Sequence, residues 1–282
     1  MADAESLVRR AEIVRAIRAF FDALGFIEVE TPVRIAAPAP EAHIDCPPVA
    51  TGGFLRASPE LQMKKLLAAG MERIYQIGPC FREGERGDRH NPEFSMMEWY
   101  RRDATYRDIM RDMENVMRLF SPDMEFATLS VRDAYRRFAG WDPWEGEWDQ
   151  DRFDIDMANA VEPGIGEIGG GVFLCDYPPQ AASLSRISSA GGCSFAERWE
   201  FYFDGMELAN CFSELCDRDE QTRRFEKSKA ARKVLGEADY PIDHDFLKSV
   251  PRIKQAAGVA LGIDRLVMAL TGEKTISAVR AS

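Results

Sequence analysis

The segment from Phe81 to Tyr100, FREGERGDRHNPEFSMMEWY, constrains the fold of this chain most strongly, because it places a charged loop between two strand-like runs. Residues 73–77, just before it, alternate apolar and polar side chains at the two-residue period of a half-buried strand. An aromatic-rich run begins at Phe94, after the loop. The pattern predicts a hairpin whose glycine-containing loop can approach a ligand, with Arg82 either a phosphate-binding residue or, as is more common for an arginine beside a loop, a solvated charge.

Composition restricts the class of protein. The chain has 282 residues, of which 45% are hydrophobic and 10% aromatic, so it can bury a substantial core as one large domain or two small ones. No apolar run approaches the roughly 18 residues that span a bilayer, and no signal-peptide pattern begins the chain. We therefore expect a soluble cytoplasmic protein without membrane contact. Six cysteines without a CxxC pair, and only three histidines, indicate reduced thiols and no zinc site.

The net charge of −11 argues against a broad nucleic-acid surface, which relies on many Lys and Arg contacts to phosphate. A local exception is the basic segment of residues 223–233, RRFEKSKAARK. We interpret it as a solvated helix face, with contact to an acidic partner as the alternative.

Helical spacing marks two segments. Apolar side chains recur every three or four residues near the start of the chain, at Leu7, Ala11, Val14, Ile17 and Phe21. This helix is expected to end at Gly25, before an extended run to Pro32. A second helix is expected from Thr105, capped with the help of Asp108. Its core face comprises Ile109, Met113, Val116 and Phe120. Residues 140–171 are assigned to loops and short elements, and no boundary divides the predicted domain of residues 1–282.

A second hairpin signal is the dipeptide Asp204-Gly205, which is favoured in type I′ turns and stands between two apolar and aromatic runs. A two-residue loop places Phe203 opposite Met206 and Tyr202 opposite Glu207. Glu200 then lies diagonally across from Glu207, roughly 7–8 Å away. The two carboxylates are either solvated on an exposed face or share a cation.

Three ordered motifs resemble those of the class II aminoacyl-tRNA synthetases. Residues 25–32, GFIEVETP, look like motif 1, the segment 81–100 looks like motif 2, and residues 258–265, GVALGIDR, look like motif 3. The run HNPEF with a glutamate four residues later, at Glu98, is most similar to the lysyl branch. The resemblance implies an α+β catalytic core in which helices flank a mainly antiparallel sheet. It also implies a homodimer formed through motif 1.

The resemblance further implies ATP and Mg²⁺ as cofactors. Arg82 would bind the α-phosphate and His90 the phosphate tail. Arg265 would contact the γ-phosphate and cover one face of the adenine, with Phe94 on the other face. Glu200 and Glu207 would hold the metal, as hard oxygen ligands suit Mg²⁺.

The start of motif 2 departs from the family pattern. Gly84 stands where many members have an acidic residue. Glu85 is expected either to cover the role of that acid or to leave it vacant.

The amino-acid pocket is also implied by resemblance. Glu60 would bind the backbone-side amine. The residues matched to the ε-ammonium of lysine are Glu98, Tyr100 and Glu214, and those that position the carboxylate and the aliphatic stem are Asn210 and Phe212. Ser58 and Ala260 replace the alanine and glycine usual in lysyl-tRNA synthetases and resemble the residues of β-lysine ligases. Buried carboxylates favour a diamino acid, because a neutral side chain would leave them unpaired.

The helix-then-strand unit that matches motif 1 begins within about the first seven residues, so we expect no anticodon-binding domain ahead of it. Such a truncated lysyl-type core resembles the elongation factor P (R)-β-lysine ligases. The expected acceptor is therefore a lysine of elongation factor P, and no contact with a tRNA anticodon is expected. The alternatives are a paralogue that activates lysine or another amino acid for a different acceptor, and a non-catalytic regulatory paralogue.

Overall fold

The computed structural model describes residues 2–281 of the chain. Within them the α-helices are α1 (Ala4–Ala23), α2 (Glu60–Ala68), α3 (Tyr106–Arg118), α4 (Val131–Ala134), α5 (Gln150–Asp156), α6 (Glu162–Ile168), α7 (Arg218–Leu235), α8 (His244–Ile253) and α9 (Ile263–Thr271). The strands are β1 (Ile27–Glu28), β2 (Arg34–Ile35), β3 (Phe54–Leu55), β4 (Arg73–Phe81), β5 (Glu93–Arg102), β6 (Phe126–Ser130), β7 (Gly171–Tyr177), β8 (Ile187–Ala190), β9 (Cys193–Phe203), β10 (Met206–Ser213) and β11 (Ala256–Gly262). Most neighbouring strands pair antiparallel, and helices accompany them, so the predicted α+β class is confirmed.

Contacts divide the chain into two units. The first covers the chain up to Asp103, residues 215–256 and the chain from Ala260 onward; the second covers residues 104–214 and 257–259. The sequence predicts one domain over residues 1–282, and that the two units together form this domain stays a prediction.

The first unit contains strands in the order β1-β4-β5, and the two ends of β11, residues 256 and 260–262, also belong to it. Strand β1 pairs parallel with β4, and β4 pairs antiparallel with β5 over nine residue pairs, from Arg73↔Arg101 to Phe81↔Glu93. Buried apolar side chains of α2, β4, β5 and α8 form a core between these elements: Met63, Leu67, Ile74, Tyr100 and Ile253. This core holds the β4–β5 hairpin, whose connecting loop is residues 82–92.

The second unit contains strands in the order β10-β9-β7-β6, with β8 beside β9. Strands β7, β9 and β10 are antiparallel to one another, while β6 runs parallel to β7. Aromatic packing stabilises the helical side of this unit; the rings of Tyr135 and Phe153 stack with centroids 4.7 Å apart.

The predicted elements around the motifs are confirmed. Helix α1 ends before Gly25, whose φ of +75° is the left-handed conformation expected at a helix C-terminus. Helix α3 begins after Thr105, whose backbone N–H donates to the Asp108 carboxylate at 2.8 Å. Three of the four predicted core residues of α3 are completely buried, while Phe120 follows the helix end. The six cysteines are free, and four of them are buried.

Two sequence-based assignments were wrong in part. Residues 150–168, assigned to loops and short elements, form a continuous helical run in which a π-helical stretch (Met157–Val161) joins α5 to α6. Glycine there lowers helix propensity, but Gly164 is needed for packing, because a Cβ at that position would lie 2.3 Å from the Phe138 ring. The basic segment 223–233 is helical, yet Arg232 within it is buried and not solvated.

In the part of the chain that the structure describes, no helix is both long enough and apolar enough to cross a membrane.

Candidate active site

The β4–β5 hairpin carries the predicted phosphate-binding residues of the first unit. Arg82 follows the last residue of β4, and its backbone N–H donates to the Pro92 carbonyl at 2.9 Å, which closes the loop at its base. The Arg82 guanidinium lies over the Phe94 ring, 5.1 Å from the centroid. Its Nε is buried and has no acceptor among the described residues. Arg82 therefore retains a donor for a ligand.

Glu85 supplies the acid beside Arg82. Its Oε1 lies 3.4 Å from Nη1 of Arg82. Gly84 has a φ of +75° and open space around it, so the chain turns there in a conformation that glycine adopts easily. An acid thus lies beside Arg82 one residue after Gly84, and that Glu85 takes the role of the family's acid stays a prediction. That Glu85 also recognises the adenine stays a prediction.

Arg265 and His90 meet in the same unit. Helix α9 begins directly after β11, and Arg265 in its first turn places Nη2 2.6 Å from Nε2 of His90. Burial, followed by the positive charge of Arg265, lowers the pKa of His90. The imidazole is therefore neutral near pH 7 and can accept the hydrogen bond from Arg265.

Asp264, which sequence reasoning missed, anchors this helix. Its buried carboxylate lies 2.6 Å from Nη1 of Arg10 and 2.9 Å from Nη1 of Arg280, and it accepts the Ser95 backbone N–H at 2.8 Å. The three contacts bind the start of α9 to α1, to β5 and to the chain end. The signal for Asp264 in the sequence was its position directly before Arg265, at the end of the motif 3 segment of residues 258–265.

That Arg265 and Phe94 cover the two faces of the adenine stays a prediction.

Glu98 forms the centre of the predicted amino-acid pocket in this unit. It is 1% exposed, accepts a hydrogen bond from Ser58 Oγ at 2.6 Å on one oxygen, and accepts one from the Tyr100 hydroxyl at 2.8 Å on the other. Burial and then the nearby negative charge of Glu60 raise the pKa of Glu98 to about 7. An additional cation beside Glu98 would therefore stabilise its charged form.

Glu60 begins α2, where it forms an ion pair with the buried Lys64 one turn later. Sequence reasoning missed Lys64, although its spacing of four residues from Glu60 is that of a helical ion pair. Ala260 lies in β11 and is partly exposed. The structure thus brings Ser58, Glu98 and Tyr100 together, with Glu60 close enough to affect the charge of Glu98.

In the second unit the β9–β10 hairpin carries the remaining predicted residues. Asp204 and Gly205 have φ values of 45° and 74°, as a type I′ turn requires. The predicted pairs Phe203↔Met206 and Tyr202↔Glu207 are confirmed. The pairing then shifts by one residue between Glu207 and Ala209, in a β-bulge.

The bulge decides which side chains share a face. Strict alternation would place Asn210 on the opposite face from Glu207. The shifted register instead pairs Asn210 with Glu200 and Phe212 with Arg198. Glu200, Glu207, Asn210 and Phe212 consequently lie on one face, partly exposed, while Leu208, Ala209 and Cys211 are buried.

Arg198 organises this face and was missed from the sequence. It pairs with Glu200, its Nε donates to Asn210 Oδ1 at 3.2 Å, and its guanidinium lies 5.6 Å from the Phe212 centroid and 4.3 Å from that of Tyr177. The signal in the sequence was an arginine two residues before Glu200, which a strand places on the same face.

The carboxylates of this face fit a magnesium ion in donor type. Glu200 accepts from Arg198 and from the Tyr202 hydroxyl at 2.8 Å, and carboxylate oxygens keep further lone pairs. Within residues 2–281, no three His, Cys, Asp or Glu side chains are arranged to hold a metal ion. Mg²⁺ commonly takes only one or two carboxylates and completes its shell with water and phosphate oxygens. Glu200 and Glu207 suit that mode of binding.

Glu214 follows β10 and is 3% exposed. It lies in the second unit, so its predicted place around an ammonium with Glu98 and Tyr100 stays a prediction.

Comparison with known proteins adds a family and named relatives. The model of the family "tRNA synthetases class II (D, K and N)" matches residues 3–281. A protein of Proteus mirabilis (strain HI4320), named elongation factor P–(R)-β-lysine ligase, is 37% identical, with 99% of this chain and 95% of the relative covered. Proteins with the same name from Vibrio cholerae (serotype O1) and Yersinia pestis (strain Pestoides F) are 35% and 37% identical. Those alignments cover 99% and 95% of this chain, and 95% and 92% of the relatives.

Proposed function

Because the chain belongs to the class II tRNA synthetase family of the D, K and N group, we propose that it is an ATP-dependent amino-acid ligase. It activates (R)-β-lysine or lysine and transfers the acyl group to a lysine side chain of elongation factor P. The shared name of relatives that align over nearly their full length supports the acceptor. The buried Glu98 site carries the argument for the amino acid, since it favours a ligand with an ammonium group.

The proposed reaction has two steps. A carboxylate oxygen of the amino acid attacks the α-phosphorus of ATP, and pyrophosphate leaves. The acceptor amine then attacks the carbonyl of the acyl-adenylate, AMP leaves with the electron pair of the broken C–O bond, and the attacking nitrogen loses a proton. No net redox change occurs in either step.

Arg82 is proposed to stabilise the first step. Its buried Nε donor without an acceptor is suited to an α-phosphate oxygen, where negative charge grows during the attack. Phe94 beneath the guanidinium restricts its orientation. Arg265, supported by neutral His90, is proposed to bind the γ-phosphate.

Glu200 and Glu207 are the residues proposed to hold Mg²⁺. When bound, the ion neutralises negative charge on the phosphate oxygens and on the departing pyrophosphate. Arg198 keeps the Glu200 carboxylate directed into the same face as Asn210.

The amino-acid site is proposed to hold a diamino acid by charge. Glu98 is positioned by Ser58 and Tyr100, which donate to both of its oxygens, so an ammonium can approach without rearrangement of the acid. An ammonium beside Glu98 would also offset the negative charge that raises the pKa of Glu98. A neutral amino acid would leave this buried acid uncompensated.

The acceptor is tested by mass spectrometry. Purified protein incubated with ATP, Mg²⁺, (R)-β-lysine and elongation factor P should add one β-lysyl mass to a single lysine of elongation factor P. The control is the same incubation without ATP. Efficient acylation of tRNA, with elongation factor P unmodified, would overturn the proposal.

The amino acid is tested separately by ATP–pyrophosphate exchange with (R)-β-lysine, lysine, ornithine and norleucine. Exchange with the diamino acids and none with norleucine is expected. Exchange that is best with lysine, without transfer to elongation factor P, would favour the alternative of a paralogue with another acceptor.

A homodimer formed through α1 and β1 and a cytoplasmic location belong to the same proposal. Large apolar side chains exposed on this segment support the dimer: Val8, Leu24 and Ile27.

A further inference from the structure

Arg232 is an almost completely buried cation in the last turn of α7, 1% exposed. Its guanidinium has four oxygen partners. Nη1 donates to the carbonyls of Glu41 and Ile44 at 2.7 and 3.1 Å, and Nη2 lies 2.5 Å from the Asp45 carboxylate. Nε donates to the Ala238 carbonyl at 2.9 Å. A buried charge with this many matched acceptors holds the groups around it in defined positions.

Three of those partners belong to one stretch of chain, residues 38–46, which we call the pocket loop. Tyr240 reinforces the same contact: its ring lies 4.1 Å from the Arg232 guanidinium, and its hydroxyl accepts the Cys46 backbone N–H at 2.8 Å. Arg232 and Tyr240 thus tie the pocket loop to the C-terminal end of α7 and the segment after it.

The pocket loop is also tied to the β4–β5 hairpin. The Asp45 carbonyl accepts the backbone N–H of Glu83, the residue after Arg82, at 2.7 Å. This second tether does not involve Arg232. Loss of Arg232 should therefore loosen the pocket loop without releasing it completely.

The pocket loop forms one wall of a small cavity beside residues of the proposed amino-acid site. The cavity measures about 20 Å³, roughly the room for one water molecule. Pro38, Ala39 and Cys46 line it on the loop side, and Ser58 and Glu60 line it on the other. A shift of the pocket loop by even 1 Å would change the space next to Ser58, which holds Glu98.

We propose that Arg232 is a positioning residue that holds the pocket loop against the amino-acid site and thereby sets the affinity for the amino acid. The inference rests on the proposed function, since it assigns the site of Ser58, Glu60 and Glu98 to the amino-acid substrate. Arg232 touches neither Ser58 nor Glu98 directly; it acts through the pocket loop.

The test compares three variants by ATP–pyrophosphate exchange. Arg232→Met is expected to raise the KM for the amino acid about tenfold or more, because small misplacements in a binding site have large effects, with kcat and the KM for ATP within about twofold. Arg232→Lys keeps the charge but loses the planar fork, so its KM should lie in between. The matched control is Arg218→Met, on an exposed position of the same helix, which should match the wild type.

Hydrogen–deuterium exchange supplies a readout independent of activity. The backbone amides of residues 41–46 should exchange faster in Arg232→Met, while those of β4 and β5 keep their protection. An unchanged KM, or a fall in kcat with general loss of protection, would overturn the proposal and leave Arg232 with a structural role alone.

A fourth variant covers the case in which Arg232→Met does not fold. Tyr240→Phe keeps the ring against Arg232 and removes the hydroxyl, which accepts the Cys46 N–H at 2.8 Å and donates to Asp45 Oδ1 at 3.2 Å. It is expected to raise the KM for the amino acid several-fold, and an unchanged KM would overturn the proposal. ATP–pyrophosphate exchange by the wild type tests the proposed function by itself. The inference about Arg232 is tested by the ratio of the KM of each variant to that of the wild type, and by the hydrogen–deuterium exchange of the pocket loop.

Discussion

At the scale of single residues, Glu98 is the group whose surroundings say most about the ligand. Its carboxyl group is fully buried, both of its oxygens accept hydrogen bonds, and its charge is opposed by Glu60. The hydrogen bonds from Ser58 and Tyr100 favour the charged form, but burial outweighs them. Near pH 7 the Glu98 carboxyl group is therefore either protonated or charged, depending on the pH and on whether a ligand is bound.

This leads to a pH prediction. The pKa of Glu98 in the folded protein, about 7, lies above its ordinary value of 4.5, so the free site holds a proton below pH 7. An ammonium ligand binds the charged form, so kcat/KM for the amino acid should rise up to about tenfold per pH unit below the pKa and level off above it. ATP–pyrophosphate exchange at saturating ATP measures this profile.

Glu98→Gln is the control for that profile. Its kcat/KM should be lower at every pH, and the step near pH 7 should be absent, because glutamine cannot ionise. A wild-type profile that is flat through pH 7 would contradict the assignment of Glu98 to the ammonium.

Arg265 gives a second residue-scale prediction. Arg265→Ala should lower the rate of adenylate formation by about 10²–10³, because a fixed cation that stabilises developing phosphate charge is lost. The thermal midpoint should change little, since the side chain is partly exposed. Arg252→Ala, at an exposed position of α8, serves as the matched control. Unchanged adenylate formation in Arg265→Ala would contradict its role.

At the scale of elements, the β9–β10 hairpin shows how backbone irregularity creates a functional face. A type I′ turn sets the register at one end, and the bulge after Glu207 changes the alternation farther along. The same sequence in regular pairing would direct Asn210 and Phe212 away from Glu200. The bulge thus assembles the face that carries the proposed metal ligands.

The turn itself can be tested by a matched pair of substitutions. Gly205 and Gly191 both have positive φ values, 74° and 59°. A Cβ at Gly205 would also lie 3.0 Å from the backbone Cα of Gly166, whereas at Gly191 it would meet nothing within 4 Å. Gly191→Ala should cost about 1 kcal/mol of the free energy of unfolding through backbone strain, and Gly205→Ala about 1–3 kcal/mol more through the close contact.

Urea denaturation of both variants and the wild type measures these differences. Equal losses at the two positions would show that the Gly166 contact contributes nothing, and that the turn tolerates alanine as an ordinary positive-φ site does.

At the scale of the whole molecule, the two units carry different sets of predicted residues. The first contains Arg82, His90, Glu98 and Arg265, and the second contains Glu200, Glu207, Asn210 and Glu214. In the first unit Arg265 of α9 meets His90 of the β4–β5 loop, and in the second the β9–β10 hairpin places Glu200, Glu207 and Asn210 on one face. That the two sets form one active site is a prediction of the family resemblance.

The homodimer is a prediction at this scale. Ile27→Asp should shift a dimer toward monomer in light scattering coupled to gel filtration, because the exposed Ile27 lies on the segment proposed as the interface. The control is Val234→Asp, which changes an exposed apolar residue at the end of α7 instead. A monomeric wild type would contradict the predicted dimer.

The sequence alone was sufficient for the elements with strong local signals. Period-two alternation and loop chemistry identified the β4–β5 hairpin, Asp204-Gly205 identified a type I′ turn, and Thr105 with Asp108 identified a helix start. These features depend on neighbouring residues, which a local pattern records. Arg82 and Glu98 were weak signals taken singly, and they were recognised only through the ordered motifs that resemble the synthetase family.

Only the tertiary structure decided the rest. The burial of Arg232, the β-bulge after Glu207 and the helical run of residues 150–168 depend on contacts between distant segments, as between Arg232 and Asp45 or Gly164 and Phe138. A charged residue looks solvated in sequence, and a glycine looks unfavourable in a helix, until the packing partner is known. Long-range packing can override local preference, which is why the positioning residues appeared only in the fold.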